Sequence, residues 1–229
     1  MTTEFVTFGL QHAIATTVVV GAGIGLCCAV RSASSARLER AVRWGLAIAC
    51  IAYEGIELVL LGVLPFHLCD LSILIAPVVL LTASRVGFEL LYFWGIGGAL
   101  QALITPAVVT GFPAPICIAF FLGHGLIIAG ALYAAVVMRL RPTPRSILRV
   151  WLITIGYGLV MLGVNAVFGT NYLFIMRPPP TPSILDLLGP WPWYLLTLQP
   201  VILAVFSLCY LPYFARDRWP RRPSPAPPR

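Results

Sequence analysis

The sequence has no lysine and little charge of any kind: eight acidic residues, fifteen arginines, and only 10% of its 229 residues charged. A soluble domain carries about 25% charged residues, so the shortfall excludes cytosolic enzymes, nucleic-acid readers and disordered chains. The missing lysine excludes something further. Retinal-type receptors and pumps need a lysine amine for their Schiff base, so a seven-helix count here cannot mean a rhodopsin. The three histidines form no HxxxH or HExxH spacing, and the six cysteines form no CxxC pair, so neither a metal site nor a redox pair is read. Cys27, Cys28, Cys50 and Cys209 lie in apolar runs, where thiols pack as small hydrophobes. No disulfide, metal or cofactor is expected.

What is present is apolar: 59% of residues are hydrophobic and the mean hydropathy is +0.93. A bilayer core of about 30 Å needs roughly 20 apolar residues per helix, and seven runs approach that length. They are Thr7 to Val30, Trp44 to Leu64, Phe66 to Thr82, Gly87 to Thr110, Pro115 to Met138, Val150 to Phe168 and Trp191 to Phe214. The fold class is therefore all-α, a seven-helix transmembrane bundle in a single domain over residues 1–214, with a proline-rich, disordered tail over 215–229. Arginine-rich loops stay cytoplasmic, and all the arginines but Arg177 fall at the same ends of the predicted helices. That puts the N-terminus outside and the C-terminus in the cytoplasm of a multi-pass plasma-membrane protein. The basic rim needs no nucleic-acid partner to explain it.

Ionisable groups are expensive inside a membrane, so the few present are informative. Helix 1 carries His12, read as structural. Helix 2 carries Glu54 and Glu57, three apart on one face, and helix 3 opens with His67, Cys69 and Asp70. Gln101 and Thr105 share a face of helix 4, His124 lies in helix 5, and Asn165 in helix 6. By residue count most of these fall in the outer half of the membrane, the pattern of a cavity opening outward rather than of an ion path crossing the bilayer. The long link from Gly169 to Trp193 adds Asn171, Tyr172, Arg177, Asp186, Trp191 and Trp193 as candidate substrate-binding residues, with Asp186 a candidate counter-ion for Arg177 and the tryptophans at interfacial depth.

Cys69 with His124 is the sharpest pair, because a thiol beside an imidazole becomes a nucleophile that accepts acyl groups. Glu57 or Asp70 could orient His124, or Asp70 could cap helix 3; His67 falls on the far side of helix 3 from Cys69. Gln101, Asn165 and Asn171 are candidate donors to an oxyanion. Glycines 95, 97 and 98 read as a helix-packing face, one route to a homodimer. A transporter or small-ligand receptor using the same cavity is the competing class, and a lipid hydrolase the nearest chemical one.

Four segments carry a resemblance: FHLCDLS at Phe66, YFWGIGGALQALITP at Tyr92, FFLGHGLIIAGALY at Phe120 and GTNYLFIMRPPPTPSILDLLGPWPWY at Gly169. Together they resemble the YwaF-like bacterial integral membrane proteins over nearly the whole chain except the tail. That family is similar to an animal transmembrane acyltransferase that places polyunsaturated acyl chains on lyso ether phospholipids, and more remotely to the androgen-induced membrane hydrolases. The resemblance implies a bacterial membrane enzyme handling phospholipid and lysophospholipid, with the animal enzyme's nucleophilic cysteine falling on Cys69 and its histidine on His124. The hydrolases' threonine has no counterpart here.

Overall fold

A computed structural model describes residues 4–62 and 64–218. Among them the chain is all-helical, with seven rods: α1 (Leu10–Ala33), α2 (Ala36–Leu61), α3 (Leu68–Thr82), α4 (Arg85–Ile104), α5 (Pro115–Val136), α6 (Pro144–Phe168) and α7 (Tyr194–Arg218). Five of them, α1 and α4 to α7, are long and apolar enough to cross a membrane, and α3 is a shorter apolar helix. The chain is a multi-pass helical membrane protein.

The rods match the seven apolar runs, but their ends move for local reasons. Hydropathy reports the stretch that wants lipid, whereas a helix continues until its backbone is capped. Thus α2 starts at Ala36, eight residues before Trp44, because the Ser35 hydroxyl accepts the Leu38 N–H at 3.3 Å. α6 starts at Pro144, whose missing N–H costs nothing in the first turn. α4 stops at Ile104 because Pro106 disfavours helix at the residue before it. The chain beyond it folds back to the N-terminal segment, and the Phe5 N–H donates to the Val109 carbonyl at 2.9 Å. α7 continues to Arg218, so residues 215–218 of the expected disordered tail are helical. Residues 219–229, with Arg221, Arg222 and Arg229, lie outside the described residues.

Arginine side chains tie the helix ends together on one side. Arg31, at the end of α1, donates to the Val136 carbonyl at 3.0 Å, and Arg43, near the start of α2, to the Leu80 carbonyl at 2.6 Å. These are carbonyls in the last turns of α5 and α3, which have no partner within their own helices. Arg149 of α6 pairs with Glu89 of α4 at 2.8 Å, and Arg141 with Asp217 of α7 at 2.7 Å. The Asp217 bond raises the Arg141 pKa above its ordinary value. Leu80 and Tyr133 pack together in this same end with Cys27, Val30 and Ala47, so α3 and α5 run parallel.

α4 and α5 form the centre: half or more of their apolar windows is buried, against 11% for α6 and α7. Small residues allow the close approach that membrane helices need. A Cβ on Gly130 of α5 would lie 3.4 Å from the Ala76 Cβ of α3, one on Gly95 of α4 would lie 3.0 Å from Ile127, and one on Gly97 would lie 3.1 Å from Val205. Gly95 and Gly97 of α4 are therefore covered by α5 and α7 of its own chain. Only Gly98 of that set faces open space. This stretch of α4, Phe93–Ala99, is wound as a π-helix, a form found mostly in single turns and often near functional sites.

Candidate functional site

At the end opposite the arginines, α3 begins with the cysteine motif. The Asp70 carboxylate accepts the His67 backbone N–H at 2.9 Å, so of its two expected roles Asp70 takes the helix cap. The His67 ring meets Tyr172 and Phe174, both at 5.4 Å between centroids, and so faces the long loop. Cys69 is partly buried and packs against the main apolar core. All six cysteines are free thiols.

His124 lies on α5, its ring tilted 32° against that of Phe120 with 4.2 Å between centroids. Its Nδ1 is 2.7 Å from the Phe120 carbonyl. A carbonyl only accepts, so Nδ1 is the donor here, and in the neutral ring the lone pair falls on Nε2. Gly123 and Gly125 flank it for a visible reason. A Cβ on Gly123 would lie 2.5 Å from the Tyr53 hydroxyl, and one on Gly125 2.8 Å from Val19. The glycines let α2 and α1 close directly onto the backbone beside the histidine.

The register of α3 and α5 sets the relation of Cys69 to His124. From the Ala76–Gly130 approach, Cys69 is seven residues back along α3 and His124 six back along α5, about 10 Å and about 9 Å at the helical rise. The two stand at one level on adjoining parallel helices. His124 is turned about 120° around α5 from Gly130, towards the side where Ile127 and Ala131 meet Gly95 of α4. No hydrogen bond joins Cys69 to His124 among the described residues.

A group of carboxyls surrounds this level. Glu57 lies one turn along α2 from Tyr53, and Asp70 follows Cys69 directly in α3. Neither carboxylate is bonded to His124 among the described residues. Glu54 is 7% exposed and its Oε2 has no hydrogen-bond partner among the described residues. Tyr53, which donates to the Ala119 carbonyl at 2.9 Å and covers Gly123, is the residue that sequence reading missed. The GHG motif signalled that something lies flat against α5, but no spacing within the sequence says what.

The remaining candidates divide between helix and loop. Gln101 Nε2 donates to Thr105 Oγ1 at 3.1 Å along α4, the shared face expected from their spacing. Asn165, 1% exposed, holds the loop that follows α6. Its Oδ1 accepts Tyr172 N–H and Thr170 O–H, both at 2.8 Å, and its Nδ2 donates to the Tyr172 carbonyl at 3.0 Å. Asn171 likewise closes its own loop, accepting from Met176 and Arg177 N–H and donating to the Arg177 carbonyl. Both amides hold the backbone of the long loop. Arg177 and Asp186 are exposed, and Asp186 accepts the Ser183 N–H at 2.7 Å rather than pairing with Arg177. Trp191 donates to the Ile175 carbonyl, and Trp193 is 63% exposed. His12 is structural, as expected: Nδ1 accepts the Phe8 N–H and Nε2 donates to the Leu103 carbonyl.

Three cavities of about 410 to 460 Å³ lie away from Cys69 and His124. One is an apolar groove between α1 and α5, bounded by Ile14, Val18, Ile118 and Phe121. The other two are at the arginine end.

A bundle of apolar rods, five of them long and apolar enough to cross a bilayer, is a polytopic membrane protein. The chain belongs to the TMEM164 family, whose sequence model matches residues 7–210. It is also similar to an uncharacterized protein of Treponema pallidum (strain Nichols), 29% identical over 155 residues, a match covering 66% of this chain and 62% of that protein's length. No solved structure matches the chain.

Proposed function

We propose that the chain is a membrane-embedded lipid acyltransferase or transacylase that moves a fatty acyl chain from a phospholipid to a lysophospholipid through a thioester on Cys69. Membership of the TMEM164 family supports the class of activity, in line with the resemblance to the YwaF-like proteins and the animal acyltransferase. The observation that carries the residue assignment is the tautomer of His124. With Nδ1–H given to Phe120, Nε2 is free to take a proton at the level of Cys69.

In the first step the Cys69 sulfur attacks the donor ester carbonyl as its proton passes to His124 Nε2. The carbon–oxygen bond breaks, the lysolipid oxygen takes that proton, and the acyl chain stays on sulfur. In the second step the acceptor hydroxyl gives its proton to His124 and attacks the thioester, and His124 returns the proton to the departing thiolate. Gln101, whose second amide hydrogen has no partner among the described residues, is the donor assigned to the oxyanion. Tyr53 and Glu57 position the α2–α5 wall behind His124. Arg177, Asp186, Trp191 and Trp193 meet the lipid headgroup at the outer surface. This reading places seven crossings in a bacterial plasma membrane with the N-terminus outside.

Intact-protein mass spectrometry after incubation with mixed phospholipids tests it. A hydroxylamine-sensitive acyl adduct, lost in Cys69→Ala and accompanied by lysolipid, is the expected result. Folded wild-type protein that leaves lipids unaltered and bears no adduct would overturn the enzyme reading in favour of binding or transport. Lipid turnover without an adduct would retain the enzyme and discard the cysteine.

A further inference from the structure

A cavity of about 450 Å³ at the arginine end is lined by Arg85, Glu89, Thr143, Pro144, Arg145 and Arg149. It lies at the opposite end of the bundle from Cys69 and His124, so nothing in the acyl-transfer reading bears on it. Its charge is unbalanced. Three guanidiniums face one carboxylate, and that carboxylate, Glu89, is 1% exposed and paired with Arg149 at 2.8 Å.

No other acid is in position to balance it. The sequence has eight acidic residues. Glu4, Glu54, Glu57, Asp70 and Asp186 lie towards the far end, Asp217 pairs with Arg141, and Glu39 lines a different cavity. Arg85 and Arg145 therefore have no carboxylate partner among the described residues.

Their placement adds to the imbalance. Arg85 is the first residue of α4 and Arg145 the second of α6, and neither helix has an acid in its first turn. The N-terminus of a helix carries about half a positive charge, and a cation there is unfavourable. Two such termini and three arginines thus converge on one concave site. Orientation bias accounts for arginines on this side of the membrane, but not for two of them sharing a cavity at helix starts without an acid.

We propose that this cavity binds a phosphate group, with Arg85 and Arg145 as its principal ligands. Guanidinium matches phosphate bidentately, and the helix termini add favourable dipoles. Arg149 stays on Glu89 and offers its remaining N–H groups. The phosphate belongs either to the headgroup of a lipid at this surface or to a free anion.

The test uses purified full-length protein in neutral detergent, titrated with dioctanoyl phosphatidic acid, dioctanoylglycerol or inorganic phosphate, with bound species read by native mass spectrometry. The expected result is saturable one-to-one binding of the phosphatidic acid and none of the dioctanoylglycerol. Arg85→Gln with Arg145→Gln should weaken it about tenfold or more, the loss of charge-assisted hydrogen bonds. Arg149 is left intact so that the buried Glu89 keeps its partner. Arg37→Gln with Arg40→Gln, on the same side but outside the cavity, should leave the affinity unchanged. Inorganic phosphate that competes at equal concentration identifies a free-anion site, and failure to compete identifies a lipid headgroup. The proposal is overturned if the wild type shows no saturable site, or if the Arg37 and Arg40 pair matters as much as Arg85 and Arg145. Circular dichroism checks the fold, and Arg145→Gln alone, with an intermediate loss, serves if the double variant unfolds.

Discussion

The two ends of the bundle hold their polar groups in opposite ways. At the arginine end the long side chains are mostly exposed and reach sideways to helix-terminal carbonyls or single carboxylates, as Arg31 and Arg43 do to Val136 and Leu80. At the other end the polar side chains are short and set into the bundle: Glu54 is buried, and Tyr53, Glu57, Cys69, Asp70 and His124, on α2, α3 and α5, are half-buried. At the first end most of the charged groups reach water, where single pairs contribute little. The second keeps ionisable groups where desolvation makes them costly, and an arrangement of that kind persists only if helix packing enforces it.

The sharpest way to break this contrast is at the cysteine. Cys69→Ala is expected to abolish acyl turnover, and Cys69→Ser to lower it at least about a thousandfold, both with unchanged helicity. Lipid-exchange assays by mass spectrometry measure this, and a Cys69→Ala variant that retains wild-type turnover would sink the thioester step. Next in size is the one arginine whose partner is enclosed. Arg149→Ala should destabilise the protein by about 2 to 3 kcal/mol, because it leaves Glu89 buried and unpaired, while Arg149→Ala with Glu89→Leu should recover much of that loss. Thermal unfolding in detergent compares the two.

At the far end, Gly123→Ala should cost about 1 to 3 kcal/mol by driving the Tyr53 ring off α5, with a fall in turnover larger than that of Gly98→Ala, where the added methyl enters open space. Asn165→Ala removes three hydrogen bonds to the loop and should cost about 2 kcal/mol, seen as faster proteolysis within residues 170–190. The smallest effect belongs to the arginine end. Arg141→Gln breaks an exposed pair with Asp217 and should change stability by less than about 1 kcal/mol, a difference that high salt should erase.

How much of this was legible in the sequence differs between fold and site. The rods were legible because each needs only a run of apolar residues long enough for lipid, and the register of arginines told which ends lie together. Helix limits were less so: the start of α2 depends on the Ser35 cap, and the end of α4 on Pro106, neither of which hydropathy weighs. In the site, spacing found Gln101 with Thr105 and put His67 off the Cys69 face, since both follow from one helix. It could not find Tyr53 over Gly123, nor could it tell that Asn165 and Asn171 hold loop backbone.

The sequence alone determined that the chain lives in a membrane as helical rods, with all its arginines but Arg177 at one end and Cys69, the three histidines and most of its carboxyls towards the other. Those features follow from transfer free energies, which each segment carries by itself. Only the tertiary structure decided which polar groups meet across helices: that Tyr53 of α2 donates to the Ala119 carbonyl of α5, that Arg43 takes the Leu80 carbonyl, and that Glu89 takes Arg149 and leaves Arg85 and Arg145 without a carboxylate. Such pairings depend on how far each helix is rotated and how closely small residues let its neighbours approach, and those quantities are properties of packed helices together.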